Sequence, residues 1–595
     1  MEPIPLALVR AGRDLTEPRV SPDGRWVGFV QRTGSTTSIN RVDVHGSGVE
    51  RQLTFGPGPA PGRGLGGGCF SWLHRPDGDL SIVYVATNGE LWHQDGLDVH
   101  SLTQHGRTVR APTVATSGVA RFVAYVVDEA EIWSVDLSSG GQRRLDDGRH
   151  EFCFDPAISP DERTVSWQGW SPPDMPWDGS LRVDLDLESG AITEWRPVDA
   201  AVQQPRFTPA GERVHVHDAD GWLNVHIEDE CVVSERIEHA GPTWGMGNRS
   251  YVFHDAGSRM AFTRNERGHG ALCVADLATG VIEQWGRGVH GHLTWGQESL
   301  VAVRSGARTP TQIVRYDSSD RSRTTLAHSQ PDVWPVDSLP EPEIVEAVAS
   351  DGTPLWARRF AAGGGRALVW VHGGPTDQWQ VDWRPRITYW WSRGWDVIVV
   401  DPRGTTGHGR VHQQALHGQW GRLDVDDTAS CITHVHASGW ATPSTTVVIG
   451  GSSGGLTVLG VLADHPSLVA AGVASYPVSD LRALTEATHR FEAHYTDTLV
   501  APNDGSPDAD AAFARLSPIG RADKITAPLL IFHGTDDPVV PITQSEALVE
   551  RITEAGDDVE FVAYDGEGHG FRDPDHVADE HARTEAFLDR VTARG

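Results

Sequence analysis

The stretch Thr446-Val447-Val448-Ile449-Gly450-Gly451-Ser452-Ser453-Gly454-Gly455 decides the fold of the C-terminal half of this chain. A short run of β-branched residues leads into a glycine-rich turn, and a helix-like segment from Leu456 to His465 follows it. In this order of strand, turn and helix, a G-x-S-x-G sequence places a serine on a sharp, strained turn. The stretch therefore predicts a nucleophilic serine at the end of a buried strand.

We assign the nucleophile to Ser453 from the phase of the motif, with Ser452 as its neighbour. A serine hydroxyl is a weak nucleophile until a base removes its proton and a third group orients that base. In folds with this turn, the three residues follow one another in the chain order serine, acid, histidine. The acid and the histidine should therefore lie downstream of Ser453.

Two downstream loops supply these partners. The loop after the apolar run Leu529–Phe532 offers two adjacent carboxylates, of which we choose Asp537 and keep Asp536 as the competitor. A later glycine-flanked turn presents His569, which would act first as general base and then as general acid. Ser453, Asp537 and His569 are thus the predicted catalytic triad.

The oxyanion that forms on attack needs two hydrogen-bond donors in fixed positions. One is predicted to be the backbone N–H of Gly454, the residue after the assigned nucleophile. The other is predicted to come from Gly374 in the loop His372-Gly373-Gly374-Pro375, which follows an apolar run ending at Val371.

Apolar runs alternate with helix-like segments throughout the C-terminal half. Besides Thr446–Ile449, these runs are Ala367–Val371, Val397–Val400, Leu529–Phe532 and Val559–Tyr564. Short runs of buried β-branched residues separated by helices indicate a doubly wound, mostly parallel sheet. The C-terminal half is therefore predicted to be a domain of the α/β-hydrolase type.

The N-terminal half has a different, repeating pattern. A turn-plus-strand unit recurs at intervals of roughly 40–50 residues, the length of one four-stranded blade of a β-propeller. Its onsets lie near Val20–Val27, Phe70–Trp72, Pro112–Val114, Ala157–Asp161, Pro205–Pro209, Tyr251–Phe253 and Leu293–Trp295. A short alternating strand follows each onset by about 20 residues. These two series predict a seven-bladed, all-β propeller over roughly residues 10–325, with six or eight blades left open.

A polar, proline-bearing segment from Ser318 to Pro342 separates the two patterns. A chain of 595 residues is also too long for a single hydrophobic core. We therefore predict two domains, a propeller over residues 1–330 and an α/β-hydrolase domain over residues 331–595.

The composition argues against several classes of partner. With 50 Lys and Arg against 81 Asp and Glu, the net charge of −31 disfavours binding to nucleic acids and anionic membranes. We find no window apolar enough for a membrane span, no signal-peptide pattern, and no disulfide or zinc spacing among the five cysteines. These features predict a cytoplasmic protein, and they leave assembly of identical copies open.

One pair of histidines, His215 and His217, is a candidate metal site. His215 and His217 alternate along a predicted strand and so point to one face, but no third ligand accompanies them. We expect them to be exposed strand residues. We predict no metal and no organic cofactor.

Several motifs follow one another in a characteristic order. They are His372–Thr376, Asp401–Gly409, Trp420–Asp427, Gly450–Gly455 and Gly566–Phe571, with Met175–Gly179 and Gly241–Trp244 in the N-terminal half. In this set the chain resembles the prolyl oligopeptidase family of serine peptidases, and within it the bacterial branch similar to acylaminoacyl-peptidases and dipeptidyl aminopeptidases.

The resemblance carries implications for the fold and the site. It implies that the propeller covers the active site and admits only short peptides. It also implies that the triad aspartate lies four residues after the histidine of H-G-x-x-D, which again selects Asp537 over Asp536. A valine three residues later lines the S1 pocket in that family, and here this is Val540.

Two departures from the family pattern concern specificity. Dipeptidyl peptidases hold the substrate's amine with a paired-glutamate motif on the propeller, and we find no clear pair there; Glu238 and Glu492 are the single acids that would replace it. Other members carry an arginine two residues beyond the triad aspartate, where this chain has Val539. The class of exopeptidase is therefore left open.

The leading hypothesis is a serine peptidase that hydrolyses short peptides or N-acylated aminoacyl bonds through an acyl-enzyme. Tyr476, Phe491 and Trp379 are candidates to line its substrate pocket. The alternative is an esterase, amidase or acyl transferase acting on a small specialised metabolite, because these reactions share the first half-reaction. A binding protein with an inert hydrolase domain is a third class, and the complete set of triad residues argues against it.

Overall fold

The computed structural model describes residues 2–46, 48–62, 67–74, 80–115, 118–330, 334–557 and 559–592. The chain divides into two compact units. The α/β unit comprises Met1–Ala11, Trp334–Trp379 and Arg384–Gly595, and the propeller unit comprises Gly12–Val333 and Gln380–Trp383. The boundary predicted between residues 330 and 331 adjoins residues that lie outside the described part of the chain, and it stays a prediction.

The propeller unit contains seven four-stranded antiparallel sheets, in each of which the strands are hydrogen-bonded in chain order. From the first blade to the seventh, the strands are β1 (Asp14–Val20), β2 (Trp26–Thr33), β3 (Thr36–Asp43) and β4 (Arg51–Gln52); β5 (Phe70–His74), β6 (Leu80–Val85), β7 (Leu91–Asp95) and β8 (Asp98–Ser101); β9 (Val109–Thr113), β10 (Phe122–Val127), β11 (Glu131–Asp136) and β12 (Gln142–Arg144); β13 (Phe152–Ile158), β14 (Thr164–Trp170), β15 (Leu181–Asp186) and β16 (Ile192–Trp195); β17 (Val202–Phe207), β18 (Arg213–His217), β19 (Asn224–Ile227) and β20 (Glu230–Cys231); β21 (Tyr251–Phe253), β22 (Arg259–Glu266), β23 (His269–Asp276) and β24 (Ile282–Arg287); β25 (Val289–Gly296), β26 (Ser299–Gly306), β27 (Thr309–Asp317) and β28 (Arg323–His328). The predicted seven-bladed propeller is confirmed.

The two repeating series in the sequence correspond to particular strands of the blades. The predicted onsets fall on the first strand or its outgoing turn, as at β5 and β21. The alternating strands that follow are the third strands, such as β11 and β15. Third strands alternate because residues of a strand point in turn to the two faces of the sheet.

One residue in or just before the first strand of every blade has a positive φ. These residues are Glu17, Gly68, Ala111, Asp155, Gln204, Gly247 and His292. In five of the blades the register between the first and second strands shifts at this point, so the residue forms a β-bulge that bends the strand.

Backbone from blades that are not neighbours meets near these positive-φ residues. The amide of Gly247, at the start of the sixth blade, donates a hydrogen bond to a carboxylate oxygen of Asp155 in the fourth. A Cβ on Gly247 would lie 2.2 Å from the amide nitrogen of Gly68, at the start of the second blade. The first strands therefore converge so closely that only glycine fits at position 247.

The histidines of the fifth blade are buried, so the expectation of exposed strand residues was wrong. His215 and His217 on β18 pack with His226 on β19, and the ring centroids of His217 and His226 lie 3.6 Å apart. Burial lowers the pKa of His217 to about 3. These rings are therefore neutral core side chains at neutral pH.

The α/β unit is built on one eight-stranded sheet of order β29-β30-β32-β31-β33-β34-β35-β36. Its strands are β29 (Glu343–Val348), β30 (Pro354–Phe360), β31 (Arg366–Val371), β32 (Trp395–Asp401), β33 (Thr446–Gly451), β34 (Ala471–Ser475), β35 (Leu529–Gly534) and β36 (Val559–Tyr564). The two antiparallel contacts join β29 to β30 and β30 to β32, and all other neighbours are parallel. The predicted, mostly parallel α/β-hydrolase sheet is confirmed.

Helices connect these strands. In chain order the helices of the protein are α1 (Leu6–Arg10) in the α/β unit, α2 (Pro176–Gly179) in the propeller unit, and then, again in the α/β unit, α3 (Pro385–Trp391), α4 (Arg410–Gln414), α5 (Leu423–Ala437), α6 (Ser453–Asp464), α7 (Leu481–Ala487), α8 (Tyr495–Leu499), α9 (Pro507–Leu516), α10 (Thr543–Ala555) and α11 (Pro574–Thr592). The core lies where α5, α6 and α10 pack on the sheet, around residues such as Ile432, Leu459 and Leu548. In the described part of the chain, none of these helices has the length and apolar character that crossing a membrane requires.

The contact at Gly247 leads to a stability prediction. Gly247 and Gly280 have similar φ values, +77 and +70, so an added Cβ costs roughly 1–2 kcal/mol of backbone strain at either position. A Cβ at Gly247 also collides with the backbone of Gly68, whereas one at Gly280 meets no atom within 4 Å. We expect Gly247→Ala to lower the free energy of unfolding by about 3 kcal/mol or more, and Gly280→Ala by about 1 kcal/mol. Urea denaturation followed by tryptophan fluorescence measures both losses, and equal losses would contradict the packing at Gly247.

Candidate active site

The turn between β33 and α6 contains a strained serine. β33 ends at Gly451 and α6 begins at Ser453, so Ser452 alone makes the change of direction, with φ 57° and ψ −124°. A residue other than glycine in such a conformation costs on the order of 1–3 kcal/mol and is found mainly at functional sites. Ser452 is also partly exposed. It therefore has the geometry expected of a nucleophile on a strand-to-helix turn.

Ser453 lies in a different environment. It is the first residue of α6, it is 3% exposed, and its Oγ accepts a hydrogen bond of 3.1 Å from Trp420 Nε1. The strained, partly exposed position that the sequence assigned to Ser453 is thus occupied by Ser452. G-x-S-x-G fits this stretch in both phases, and the backbone dihedral angles and burial distinguish the two serines.

Glycines bring this turn against the end of β31. A Cβ on Gly454 would lie 2.4 Å from the carbonyl oxygen of Val371, and one on Gly450 would lie 2.5 Å from the carbonyl oxygen of Gly454. Such close backbone contact is possible only without side chains. The beginning of α6, where Gly454 was predicted to donate to an oxyanion, is therefore held against the loop that follows β31.

That loop contains the other predicted oxyanion donor, Gly374. A Cβ built on the neighbouring Gly373 would lie 3.5 Å from the Cβ of Ser452, so the loop borders the strained serine. Gly374 has a φ of +128°, and His372 bonds through Nε2 to Thr405 Oγ1 at 2.8 Å. The predicted donor loop and Ser452 are thus brought together.

Asp537 and His569 form a hydrogen-bonded pair. The Nδ1 of His569 lies 2.7 Å from Oδ2 of Asp537, and the other carboxylate oxygen accepts from the amides of Val539 and Val540 at 2.8 and 3.0 Å. Asp536, the competing carboxylate, is exposed. The geometry therefore joins the histidine to Asp537.

The carboxyl group of Asp537 is held in its ionised form. Burial opposes ionisation, but interactions with His533 and His569 outweigh it and hold the pKa of Asp537 below its usual range. His533 is itself positioned by a 2.8 Å hydrogen bond between its Nε2 and the carbonyl oxygen of Val540. Val540, predicted to line the S1 pocket, is only 1% exposed, and its backbone packs around Asp537.

Of the three predicted pocket aromatics, Tyr476 lies against the histidine. Its ring centroid is 4.5 Å from that of His569 and 5.7 Å from that of Phe571. Its backbone has a φ of 38°, which turns the chain sharply after β34. Burial raises the pKa of the Tyr476 hydroxyl to about 12, so the phenol stays protonated. Tyr476 can therefore contact a group bound beside His569.

Phe491 and Glu492 lie together in the short 3-10 turn Arg490–Glu492. Phe491 is buried, with its ring centroid 6.5 Å from that of His489, and Glu492 Oε1 is 3.5 Å from His489 Nε2.

Trp379 and Glu238 lie in separate units. The ring centroid of Trp379 is 5.4 Å from that of Trp370, and the guanidinium of Arg384 covers it at 4.3 Å. Glu238 is buried in the propeller unit, where its Oε2 accepts a 2.6 Å hydrogen bond from the amide of Leu223. That bond helps to hold the propeller backbone.

Two residues at the turn were not recognised in the sequence. They are Trp420, which donates to Ser453, and Tyr495. The hydroxyl of Tyr495 donates to Thr376 Oγ1 at 2.7 Å and accepts from the Thr376 amide at 3.0 Å. The centroids of Trp420 and Tyr495 are 6.4 Å apart. Trp420 belongs to the motif Trp420–Asp427, but the spacing of that motif does not indicate a contact with the turn. The contact depends on the packing of α5 against α6.

Comparisons with known proteins agree with this fold. Residues 379–595 match the prolyl oligopeptidase family. A dipeptidyl aminopeptidase BIII of Pseudoxanthomonas mexicana is 29% identical over 96% of this chain and 86% of its own length. An acylamino-acid-releasing enzyme of Arabidopsis thaliana is 29% identical over 33% of this chain and 27% of its own length.

A solved structure extends the likeness to both units. The structure of a puromycin-hydrolysing peptidase of Mycobacterium tuberculosis superimposes with a TM-score of 0.90 at 25% identity, covering 100% of this chain and 96% of that chain. With a family match across the residues around Ser452 and His569, residues 379–595 of the chain belong to the prolyl oligopeptidase family of serine peptidases.

Proposed function

We propose that this peptidase cleaves short peptides or N-acylated aminoacyl bonds through an acyl-enzyme on Ser452, with His569 as the base and Asp537 as the group that orients it. The observation that carries the proposal is the 2.7 Å bond between His569 and Asp537, together with the strained, partly exposed serine on the turn before α6. Ser453, the serine chosen from the sequence, is the competing nucleophile, and experiment has to separate the two.

The reaction follows from the roles of these groups. Because Nδ1 of His569 is engaged by Asp537, Nε2 is left to take the serine proton as Oγ bonds to the substrate carbonyl carbon. The resulting imidazolium protonates the leaving nitrogen as its bond to that carbon breaks. Water then repeats the sequence on the acyl-enzyme and frees the serine.

One of the two predicted oxyanion donors moves by one residue if Ser452 is the nucleophile. The donor after the nucleophile becomes the backbone N–H of Ser453 in place of that of Gly454. The loop after β31 supplies the second donor, for which we retain Gly374, because its neighbour Gly373 borders Ser452.

The names of the relatives bear on the substrate. Similarity to a dipeptidyl aminopeptidase runs along almost the whole chain, which supports a substrate with a free amine. Glu492 and Glu238 are the acids proposed to hold that amine. Tyr476 is proposed to contact the acyl group, because it lies against His569.

A second candidate function is that of an amidase or esterase acting on a small specialised metabolite. The similarity to a puromycin-hydrolysing peptidase over the full chain favours it, since puromycin is a small molecule with an amide bond. The same triad would serve both substrates.

A cytoplasmic location belongs to the proposal as well. All five cysteines are free thiols and four of them are buried, as is usual for proteins in a reducing compartment.

Labelling with a fluorophosphonate separates the two serines. We expect the wild-type protein and Ser453→Ala to be labelled, and Ser452→Ala to be unlabelled, because only Ser452 has the strained, accessible position. Mass spectrometry of the labelled peptide identifies the modified residue. Label on Ser453 would restore the assignment made from the sequence, and an unlabelled wild type would contradict the acyl-enzyme itself.

The adjacent aspartates provide a matched pair for testing the third member of the triad. Asp537→Asn removes the carboxylate that orients His569, and we expect kcat to fall by about 10⁴-fold. Asp536→Asn changes an exposed neighbour and should leave kcat within about twofold of the wild type. A large loss in the second variant and none in the first would reverse the assignment.

A panel of chromogenic reporters tests the class of substrate. We expect turnover of free-amine dipeptidyl, aminoacyl or N-acetyl-aminoacyl amides, and Glu492→Gln should raise KM for the free-amine reporters only. Puromycin and simple esters complete the panel. If only esters react, the peptidase proposal fails, and if puromycin is cleaved much faster than any peptide reporter, the second candidate function is preferred.

A further inference from the structure

A chain of hydrogen bonds lies behind the strained turn. Trp420 Nε1 donates to Ser453 Oγ at 3.1 Å, and the next residue, Gly421, donates its amide to Asp424 Oδ1 at 2.7 Å. The other oxygen of Asp424 accepts from Thr457 Oγ1 at 2.7 Å, and the same hydroxyl lies 3.3 Å from the carbonyl oxygen of Ser453. The bonds thus run from Trp420 through α5 to the first turn of α6 and back to Ser453.

The network is shielded from water. Trp420, Ser453, Asp424 and Thr457 are each no more than 3% exposed. Burial raises the pKa of Asp424 to about 6, in keeping with its desolvated position. The Trp420 backbone is held in turn by a bond from its amide to the carbonyl oxygen of Leu499 at 3.2 Å. Hydrogen bonds in such surroundings are strong and fix the groups that make them.

We infer that Trp420 is a positioning residue, whose indole N–H holds the Ser453 hydroxyl and so aims the backbone N–H of Ser453 at the oxyanion. The inference rests on the proposed function, because Ser453 supplies that donor only if Ser452 is the nucleophile. Trp420 contacts neither the substrate nor a reacting atom in this scheme; it acts through Ser453.

The position of Ser453 explains why an anchor is useful. The first amides of an α-helix have no partner within the helix, and the residues that carry them are the least constrained. An oxyanion donor is effective only when it is held at hydrogen-bond distance from the place where negative charge develops. The indole nitrogen is a donor only, so the Ser453 hydroxyl accepts from it, and this bond restrains the position of Oγ. The Thr457 hydroxyl restrains the other side of the same residue.

A donor to the oxyanion acts on the transition state and hardly at all on substrate binding. Loss of the anchor should therefore lower kcat and leave KM nearly unchanged. A purely structural role of Trp420 would instead lower the stability of the α/β unit, without lowering kcat selectively while KM stays unchanged.

The experiment compares Trp420→Phe, Ser453→Ala, the double variant and Ser453→Thr in the full-length protein, with Trp395→Phe as the control for loss of a buried indole. Trp395 is 2% exposed and packs under Arg366, so the control removes a comparable group from the same unit. The measured quantities are kcat and KM for the best reporter amide, the rate of fluorophosphonate labelling, and the melting temperature.

We expect Trp420→Phe and Ser453→Ala each to lose about 10-fold or more in kcat and in labelling rate, with KM within about twofold of the wild type. The double variant should lose no more than the worse single one, since both remove the same bond. Ser453→Thr keeps the hydroxyl and should recover most of the rate, and Trp395→Phe should keep it all.

Unchanged kcat in Trp420→Phe, additive losses in the double variant, or parallel losses in Trp395→Phe would overturn the inference. If Trp420→Phe does not fold, Ser453→Ala and Ser453→Thr decide the question by themselves, because equal rates in these two variants would overturn it. Failure of the proposed function looks different: Ser453→Ala would then show no labelling, or Ser452→Ala would keep it.

Discussion

Close backbone contact between the turn before α6 and the end of β31 is the constraint on which the site depends. A Cβ on Gly454 would lie 2.4 Å from the Val371 carbonyl oxygen, so the helix N-terminus can approach that loop only because the residue is glycine. The strain at Ser452, on the order of 1–3 kcal/mol, is held by the burial of eleven of the twelve residues of α6. Each buried leucine or valine there contributes roughly 1.5–3 kcal/mol, so packing exceeds the strain several times over.

The parallel sheet assembles the remaining groups at the same edge. Asp537 follows β35 and His569 follows β36, and these strands are direct neighbours in register. Carboxyl ends of parallel strands meet at one edge, which brings the two side chains to 2.7 Å although they are 32 residues apart. The amides of Val539 and Val540 then neutralise part of the charge on the buried carboxylate. A turn, two strand ends and one loop therefore define the site.

The propeller likewise depends on close backbone contact, here between its first strands near Gly247. Its blades repeat the same four-stranded unit, yet the positive-φ residues in or just before the first strands are of six different types, five of them other than glycine. A bulge forms because each first strand has to curve toward the others, and this curvature does not require one particular residue type. The burial of His215 and His217 has a similar origin, because the neighbouring strand β19 supplies a third ring, His226, that covers them.

Local pattern predicted the seven blades, the parallel sheet, the serine-bearing turn and the two loops that carry Asp537 and His569, because periodicity and chain order follow directly from strand and helix geometry. It could not separate Ser452 from Ser453, since both fit the same motif and differ only in dihedral angle and burial. Nor could it place Val540 in the core behind Asp537, or Trp420 against Ser453. Those positions arise from contacts between segments distant in sequence, and only the packed tertiary structure decides which residues such contacts bring together.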